Sequence, residues 1–245
     1  TVARHRDVFE ALGARVLADG VSGIEIASDK AVMHAACSEI PVPQPVLLRP
    51  ATLEEFVAGA RELGYPDVPV CFKPPIAKGS RGFRILSAEI DRVHDLLYEK
   101  PINRYMTLDD FVDLFTGYEP FPQLMLMEYV DAPEITVDLF ADEGEVVFYQ
   151  TRTREEFLTG LAMAFKTIDR PDLVELTRKV VKHLHLDYYQ SVQWIGGKLL
   201  EINPRVSTFV YQEDFIIPYL GIKYTLGELG ADDVAGIQAR ARTSR

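Results

Sequence analysis

The sequence predicts an α+β protein of two lobes, each built on an antiparallel sheet. Three observations carry this reading. Strand-like and helix-like segments are interleaved along the 245 residues. Several neighbouring strands are joined by short turn signals, Asp142-Glu143-Gly144-Glu145 and Gly196-Gly197 among them, which mark hairpins. A doubly wound parallel sheet would need a helical crossover at each such join. Finally, the extended segment at 129–133 separates two sets of these elements and reads as a link between lobes.

Taken in order, residues 2–12 read as a short helix, and 14–17 and 23–27 as strands. This opening lacks the first strand and phosphate loop of a complete α/β nucleotide domain, so residues 1–28 are expected to be the remnant of one. Asp29 is placed to cap a helix over 30–38, which Pro41, Pro43 and Pro45 stop in an extended linker. Thr52, three residues before Glu55, predicts a capping box and a helix ending near Gly64. Strands at 68–73 and 83–86 flank a glycine loop, helices follow near 89–99 and 107–116, and 124–128 is a buried strand. Segments 134–141 and 146–152 make a hairpin, a helix runs near 171–185, and 188–195 with 199–203 form a last hairpin. The lobes are expected at 29–127 and 128–245.

Composition narrows the function. A hydrophobic fraction of 47% and a charged fraction of 26% are those of an ordinary globular protein. The net charge of -11 and the absence of any basic block argue against a nucleic-acid partner, which needs a clustered cationic face. An acidic chain that binds a polyanion must concentrate its few cations locally and use metal ions. Cys37 and Cys71 sit in no CxxC pair and read as reduced, buried thiols. No apolar run reaches the ~18 residues of a membrane span and no signal-peptide pattern opens the chain, so no membrane partner is expected and the cytoplasm is the default.

Three segments carry chemistry. In the first, a buried strand ending at Lys73 runs into Pro74-Pro75-Ile76-Ala77-Lys78-Gly79-Ser80-Arg81-Gly82. Backbone N–H groups of such a loop can close over phosphates while Lys73 supplies a fixed charge. The glycine spacing is not that of a Walker loop, and taken alone the segment also reads as a surface turn. In the second, Gln193-Trp194-Ile195-Gly196-Gly197-Lys198-Leu199-Leu200-Glu201-Ile202-Asn203-Pro204-Arg205, strand periodicity puts Glu201 and Asn203 on one face. A three-residue turn over Gly196, Gly197 and Lys198 would pair Gln193 with Glu201 and Trp194 with Leu200, separating polar from apolar faces. Gln193, Glu201 and Asn203 would then form an all-oxygen cluster suited to Mg²⁺. The third is Met127-Glu128-Tyr129-Val130, a strand emerging into a linker, followed by Glu134. Its backbone can bond an adenine edge and its carboxylate can hold ribose hydroxyls, although an ordinary strand end also explains it. Arg152 and Arg154 follow the strand 146–150 and read equally as a carboxylate-binding pair member or as part of a solvated loop.

These segments, in this order, resemble the ATP-grasp superfamily, over about residues 28–228. Asp29-Lys30, Phe72-Lys73-Pro74 with its loop, Met127-Glu128-Tyr129-Val130 with Glu134, and Glu201-Ile202-Asn203-Pro204-Arg205 carry the resemblance. Gln193 is most similar to the carbamoyl-phosphate-synthetase branch. The resemblance implies an ATP-grasp fold, ATP and Mg²⁺ (or Mn²⁺) as cofactors, and a nucleotide cleft between the sheets bearing Lys73 and Glu201. Lys30 and Lys73 would hold phosphates, and Lys78, Gly79, Ser80 and Gly82 would close as a lid. Glu128, Tyr129 and Val130 would meet adenine, and Glu134 the ribose. Glu201 would bridge two metal ions, with Gln193 and Asn203 completing one site each, and Arg205 would act with Lys73 on the transferring phosphoryl group. Asp131-Ala132-Pro133 departs from the family's glycine before the ribose carboxylate, and Arg81 stands where a small residue is usual.

The function implied is an ATP-dependent carboxylate–amine ligase working through an acyl phosphate. Its partners would be ATP, a small carboxylate and an amine, together with a second copy of the chain in a homodimer or a missing N-terminal domain that helps form the substrate site. The alternatives are a phosphotransferase on the same scaffold and a non-catalytic ATP-binding module of a larger synthetase. The presence of Lys73, Glu201, Asn203 and Arg205 together argues against the module.

Overall fold

The computed structural model describes residues 2–77, 79–91, 93–94, 97, 104–158, 161–207 and 215–243, with backbone alone at 156–158, 161–163 and 242–243. Two compact units result, one of Pro45–Asp131 with Phe157–Ala162, the other of Thr1–Gln44, Ala132–Glu156 and Met163–Arg245. Residues 1–44 thus belong with the unit that carries the last hairpin.

The unit of Pro45–Asp131 is built on a five-stranded sheet in the order β1-β5-β2-β3-β4. These strands are β1 (Leu47–Leu48), β2 (Val70–Lys73), β3 (Arg84–Leu86), β4 (Tyr105–Met106) and β5 (Met125–Glu128). All pairings are antiparallel except β3 with β4. Period two sends Val70, Phe72, Leu86 and Leu126 to one face, where they pack with Phe56 and Phe111. Phe56 comes from helix Leu53–Glu62 and Phe111 from helix Leu108–Phe115, and their rings stack with centroids 3.9 Å apart. Thr52 caps the first of these helices by accepting from Glu55 N at 3.2 Å, as expected. The return bond differs, for the Glu55 carboxylate accepts from Ala51 N instead of Thr52 N. The full capping box belongs to the second helix, between Thr107 and Asp110. Of the helix expected near 89–99, residues 93, 94 and 97 are helical, and 92, 95, 96, 98 and 99 lie outside the described residues.

The other unit has a five-stranded antiparallel sheet in the order β10-β7-β6-β11-β12. These are β6 (Glu134–Asp142), β7 (Glu145–Thr153), β10 (Thr167–Ile168), β11 (Tyr188–Ile195) and β12 (Lys198–Asn203). A separate two-stranded pair, β8 (Glu155–Leu158) with β9 (Leu161–Ala164), lies between β7 and β10 in the chain. Val137, Leu139, Val192, Trp194, Leu199 and Ile202 bury one face against helix Pro171–His183. There the Trp194 indole donates to Thr177 Oγ1 at 3.1 Å.

Two expectations fail in this unit. Residues 14–17 form no strand, and 23–27 lie in a helix, Val21–Ser28. Ile24 and Ile26 are β-branched, but the buried positions are Gly23 and Ala27, a helical i, i+4 pair. Buried Asp19 fastens the segment, accepting from Asp187 N at 3.2 Å and from Gln190 Nε2 at 2.9 Å. A Cβ at position 23 would stand 2.6 Å from that carboxylate, so the helix approaches it only through glycine. No strand remains in 1–28 among the described residues, so the expected α/β remnant is helical here. The second correction is the β11–β12 turn. It is the two-residue Gly196-Gly197 turn, with both φ positive at 56° and 79°, the geometry of type I′. Gln193 still pairs with Glu201, but Trp194 pairs with Leu199, because a bulge absorbs Leu200. An unbroken ladder would need the three-residue turn; the bulge restores the same face separation with a shorter one.

Candidate functional site

The face of the second sheet opposite Trp194 is polar over two successive rows. One row runs Arg152, Thr136, Gln193, Glu201, and the next Gln150, Asp138, Ser191, Asn203. A third row turns apolar, with Phe148, Phe140 and Tyr189 packed on Phe215, Ile217 and Leu220. Six of the polar residues, Thr136, Asp138, Gln150, Arg152, Ser191 and Gln193, are 5% exposed or less. Burying so many polar groups is costly unless they serve each other or a ligand.

Glu201 is the centre of the edge. Its Oε1 accepts from Asn203 Nδ2 at 3.0 Å, and its Oε2 lies 3.4 Å from Lys30 Nζ. Lys30 is held there by its helix, Lys30–Cys37, whose cap Asp29 accepts from Ala31 N at 2.9 Å and Val32 N at 3.2 Å. Gln193, Glu201, Asn203 and Lys30 are therefore brought together. Arg205 follows, its Nη1 donating to Val206 O at 3.1 Å.

Deeper on the face, Arg152 Nη1 lies 3.5 Å from Asp138 Oδ2, and its Nε donates to Gln150 Oε1 at 2.7 Å. Its guanidinium stands 4.9 Å over the Phe165 ring. Burial pushes the Asp138 carboxyl above the usual range, opposed by Arg152, by bonds from Ser191 and Ser207, and by the charge of Arg205. Burial likewise lowers the pKa of Arg152, opposed by Asp138. Arg154 Nε lies 3.3 Å from Glu134 Oε2. Neither arginine belongs to a solvated loop: Arg152 is 2% exposed within β7, and the side chain of Arg154 is 16% exposed. Asp138, Gln150, Thr136 and Ser191 escaped the sequence reading. Their signal is polar residues at period two inside otherwise apolar strands, as in Thr136-Val137-Asp138-Leu139.

In the first unit Lys73 ends β2, opposite Met125 and half-buried. The loop beyond it has Gly79, Ser80 and Gly82 at φ of 62°, 56° and 73°, and a Cβ at position 82 would fall 2.7 Å from Pro74 Cδ. Lys78 lies outside the described residues. Glu128 is tied to β1: Val46 N donates to its carboxylate at 2.8 Å, while its own N–H donates to Val46 O at 3.1 Å. Tyr129 follows, its phenol raised in pKa by burial and by Tyr105.

Divalent metal ions fit this face in one sense. The oxygen donors Gln193, Glu201 and Asn203 adjoin, and Glu201 already draws a cation, Lys30. Among the described residues no cluster of three or more His, Cys, Asp or Glu exists, so a single carboxylate anchors the set. No described helix is long and apolar enough to cross a membrane.

An α+β grasp on two antiparallel sheets, with a glycine loop beside a strand lysine and a Glu-x-Asn hairpin, is the ATP-grasp fold. Within it, residues 120–244 match the family described as ATP-grasp in the biosynthetic pathway with Ter operon, and the chain belongs to that family. The large chain of carbamoyl phosphate synthase from Clostridium acetobutylicum is 24% identical over 214 residues, covering 81% of this chain and 18% of that protein. The chain therefore spans under a fifth of that relative's length. A biotin carboxylase domain dimer of Hydrogenobacter thermophilus 2-oxoglutarate carboxylase, in complex with MgADP, ADP and bicarbonate, superposes with a TM-score of 0.68 at 18% identity, over 94% of this chain and 52% of that one. D-alanine–D-alanine ligase from Bacillus anthracis, complexed with ATP, gives 0.56 at 14% identity, over 97% and 73%. The carbamoyl-phosphate-synthase-like resemblance and the fold class are thereby met.

Proposed function

We propose that the chain binds ATP with Mg²⁺ and uses it to activate a small carboxylate for ligation to an amine. The observation that supports this most is the meeting of Glu201, Asn203, Gln193 and Lys30 on one polar strand face. Glu201, Gln193 and Asn203 would hold the metal, which when bound neutralises phosphate charge. Lys30 and Lys73 would bind the phosphates, with the loop at 78–82 laid over them. Glu128, Tyr129 and Val130 would border adenine, and Glu134 the ribose, for which it would have to share or leave Arg154. Arg205 would balance charge as the carboxylate oxygen attacks the γ-phosphorus and ADP departs. The amine then attacks the acyl carbon of the acyl phosphate, inorganic phosphate leaves, and the amine gives up a proton. Work of this kind is positioning and charge neutralisation, for which a buried polar face is suited.

The test is a screen of amino acids and small carboxylic acids, with and without amines, for acceptor-dependent ADP release, reading product mass alongside. Amide products in step with ADP support the ligase. A phosphorylated product released without amine would make the chain a phosphotransferase. No ADP release with any acceptor, despite nucleotide binding, would reduce it to a binding module.

A further inference from the structure

The metal-binding face just described holds little negative charge of its own. Glu201 contributes one carboxylate, Gln193 and Asn203 are neutral amides, and Lys30 Nζ lies 3.4 Å from Glu201 Oε2, so the four groups sum to zero. The pair is sheltered, the Lys30 side chain being 10% exposed and that of Glu201 24%, which limits screening by water. Lys30 is also fixed at its station, as the first residue of a helix capped by Asp29. The other ion pairs on the face, Arg152 with Asp138 and Arg154 with Glu134, are neutral too. Mg²⁺ gives up its water reluctantly and is usually held by one or two carboxylates together with substrate phosphates. Here it would find one carboxylate, already matched by an ammonium.

We propose that Lys30 is the resident counter-ion of Glu201, so that the site refuses a free divalent cation and admits metal only together with nucleotide phosphates. The phosphates supply the missing negative charge and draw the Lys30 ammonium off Glu201, whose oxygen then turns to the metal. Binding is thus ordered by charge: nucleotide and metal enter as one complex, and metal alone leaves the site closed. This inference rests on the proposed nucleotide and metal reading of the same residues.

The test follows Mn²⁺ by the loss of its free-ion paramagnetic signal, using the whole chain with and without ADP, and needs no turnover. For the wild-type chain, binding is expected with ADP and none is expected at millimolar Mn²⁺ alone. Lys30→Met, which removes the competing charge, is expected to bind Mn²⁺ without nucleotide at least about tenfold more tightly than wild type. Gln193→Asp leaves Lys30 in place but adds a carboxylate, and the same gain is expected; it keeps the question open to test should Lys30→Met fail to fold by circular dichroism. The proposal is overturned if wild type binds Mn²⁺ without ADP and loses it in Glu201→Gln, or if neither variant gains affinity. If wild type takes up no Mn²⁺ even with ADP, the metal reading itself falls, and this inference with it.

Discussion

The two five-stranded sheets pack one face alike and differ on the other. In the first, the face away from the Phe56–Phe111 stack carries Cys71, Ile85, Met125 and Met127, all buried, and a single cation, Lys73. In the second, the face away from Trp194 carries two rows of polar side chains and the ion pairs Lys30–Glu201, Arg152–Asp138 and Arg154–Glu134. A sheet apolar at its centre on both faces, with charges only at strand ends (Lys73, Arg84 and Glu128), is stable as an ordinary core. A sheet with a buried polar face gives up hydrophobic stabilisation there, and must recover it through mutual hydrogen bonds or a ligand. The contrast supports placing the proposed chemistry on the second sheet, and it can be broken in several ways.

The largest expected effect is at Glu201. Glu201→Gln keeps shape and removes the charge, and turnover should fall at least about 10³-fold while metal-free nucleotide binding stays within a few-fold. ADP release and equilibrium dialysis measure the two; near-normal turnover would move the chemistry off this face. Next are the cores. Trp194→Ala and Phe56→Ala should each cost about 3–5 kcal/mol in urea unfolding, since both rings are fully buried. Thr177→Val should cost about 1–3 kcal/mol, because it strands the buried indole N–H.

Much of this contrast was legible in the sequence, for physical reasons that also mark where legibility ends. Period-two patterning placed Gln193 opposite Glu201, and Asp29 announced the helix that bears Lys30. The Lys30–Glu201 contact itself was not legible, since it joins distant segments through tertiary packing alone. Helix Val21–Ser28 was not legible as one, because it carries β-branched residues and its partner Asp19 acts across the chain. Strands β1, β4 and β10 have two residues each, too few to show a period. Asp138 sits inside an otherwise apolar strand, and its pairing with Arg152 joins neighbouring strands through tertiary packing.

A smaller effect tests the two tight turns of the second sheet against each other. Glu143-Gly144 has φ of 50° and 74°, Gly196-Gly197 has 56° and 79°, and both join antiparallel strands with two residues. Glu143 shows that a side chain is tolerated at the first place. Gly196→Asn should therefore be close to neutral in urea unfolding, since asparagine accepts this region readily. Gly197→Ala should cost about 1–2 kcal/mol from left-handed backbone strain, as open space surrounds that position and no clash adds to it. A larger loss at 196 than at 197 would mean that the bulge at Leu200, not the turn, sets the register.

The smallest effect concerns the thiols, one in each unit. Burial pushes Cys37 up to about 11 and Cys71 up to about 12, from an ordinary value of 9.0; the Lys73 charge opposes the rise at Cys71. Both values lie above those of the unfolded chain, so folding favours the protonated form. Their contribution to stability is intact below about pH 8.5 and declines as pH rises through 9 toward the folded values. At pH 8 neither thiol should react with iodoacetamide in the folded protein, whereas both should in urea, as mass spectrometry of the labelled chain would show. Cys71 lies on the face of the first sheet that also carries Lys73, so ADP with Mg²⁺ should leave its protection intact or increase it. Rapid native alkylation of Cys71 that nucleotide does not slow would show that this face is open and unused.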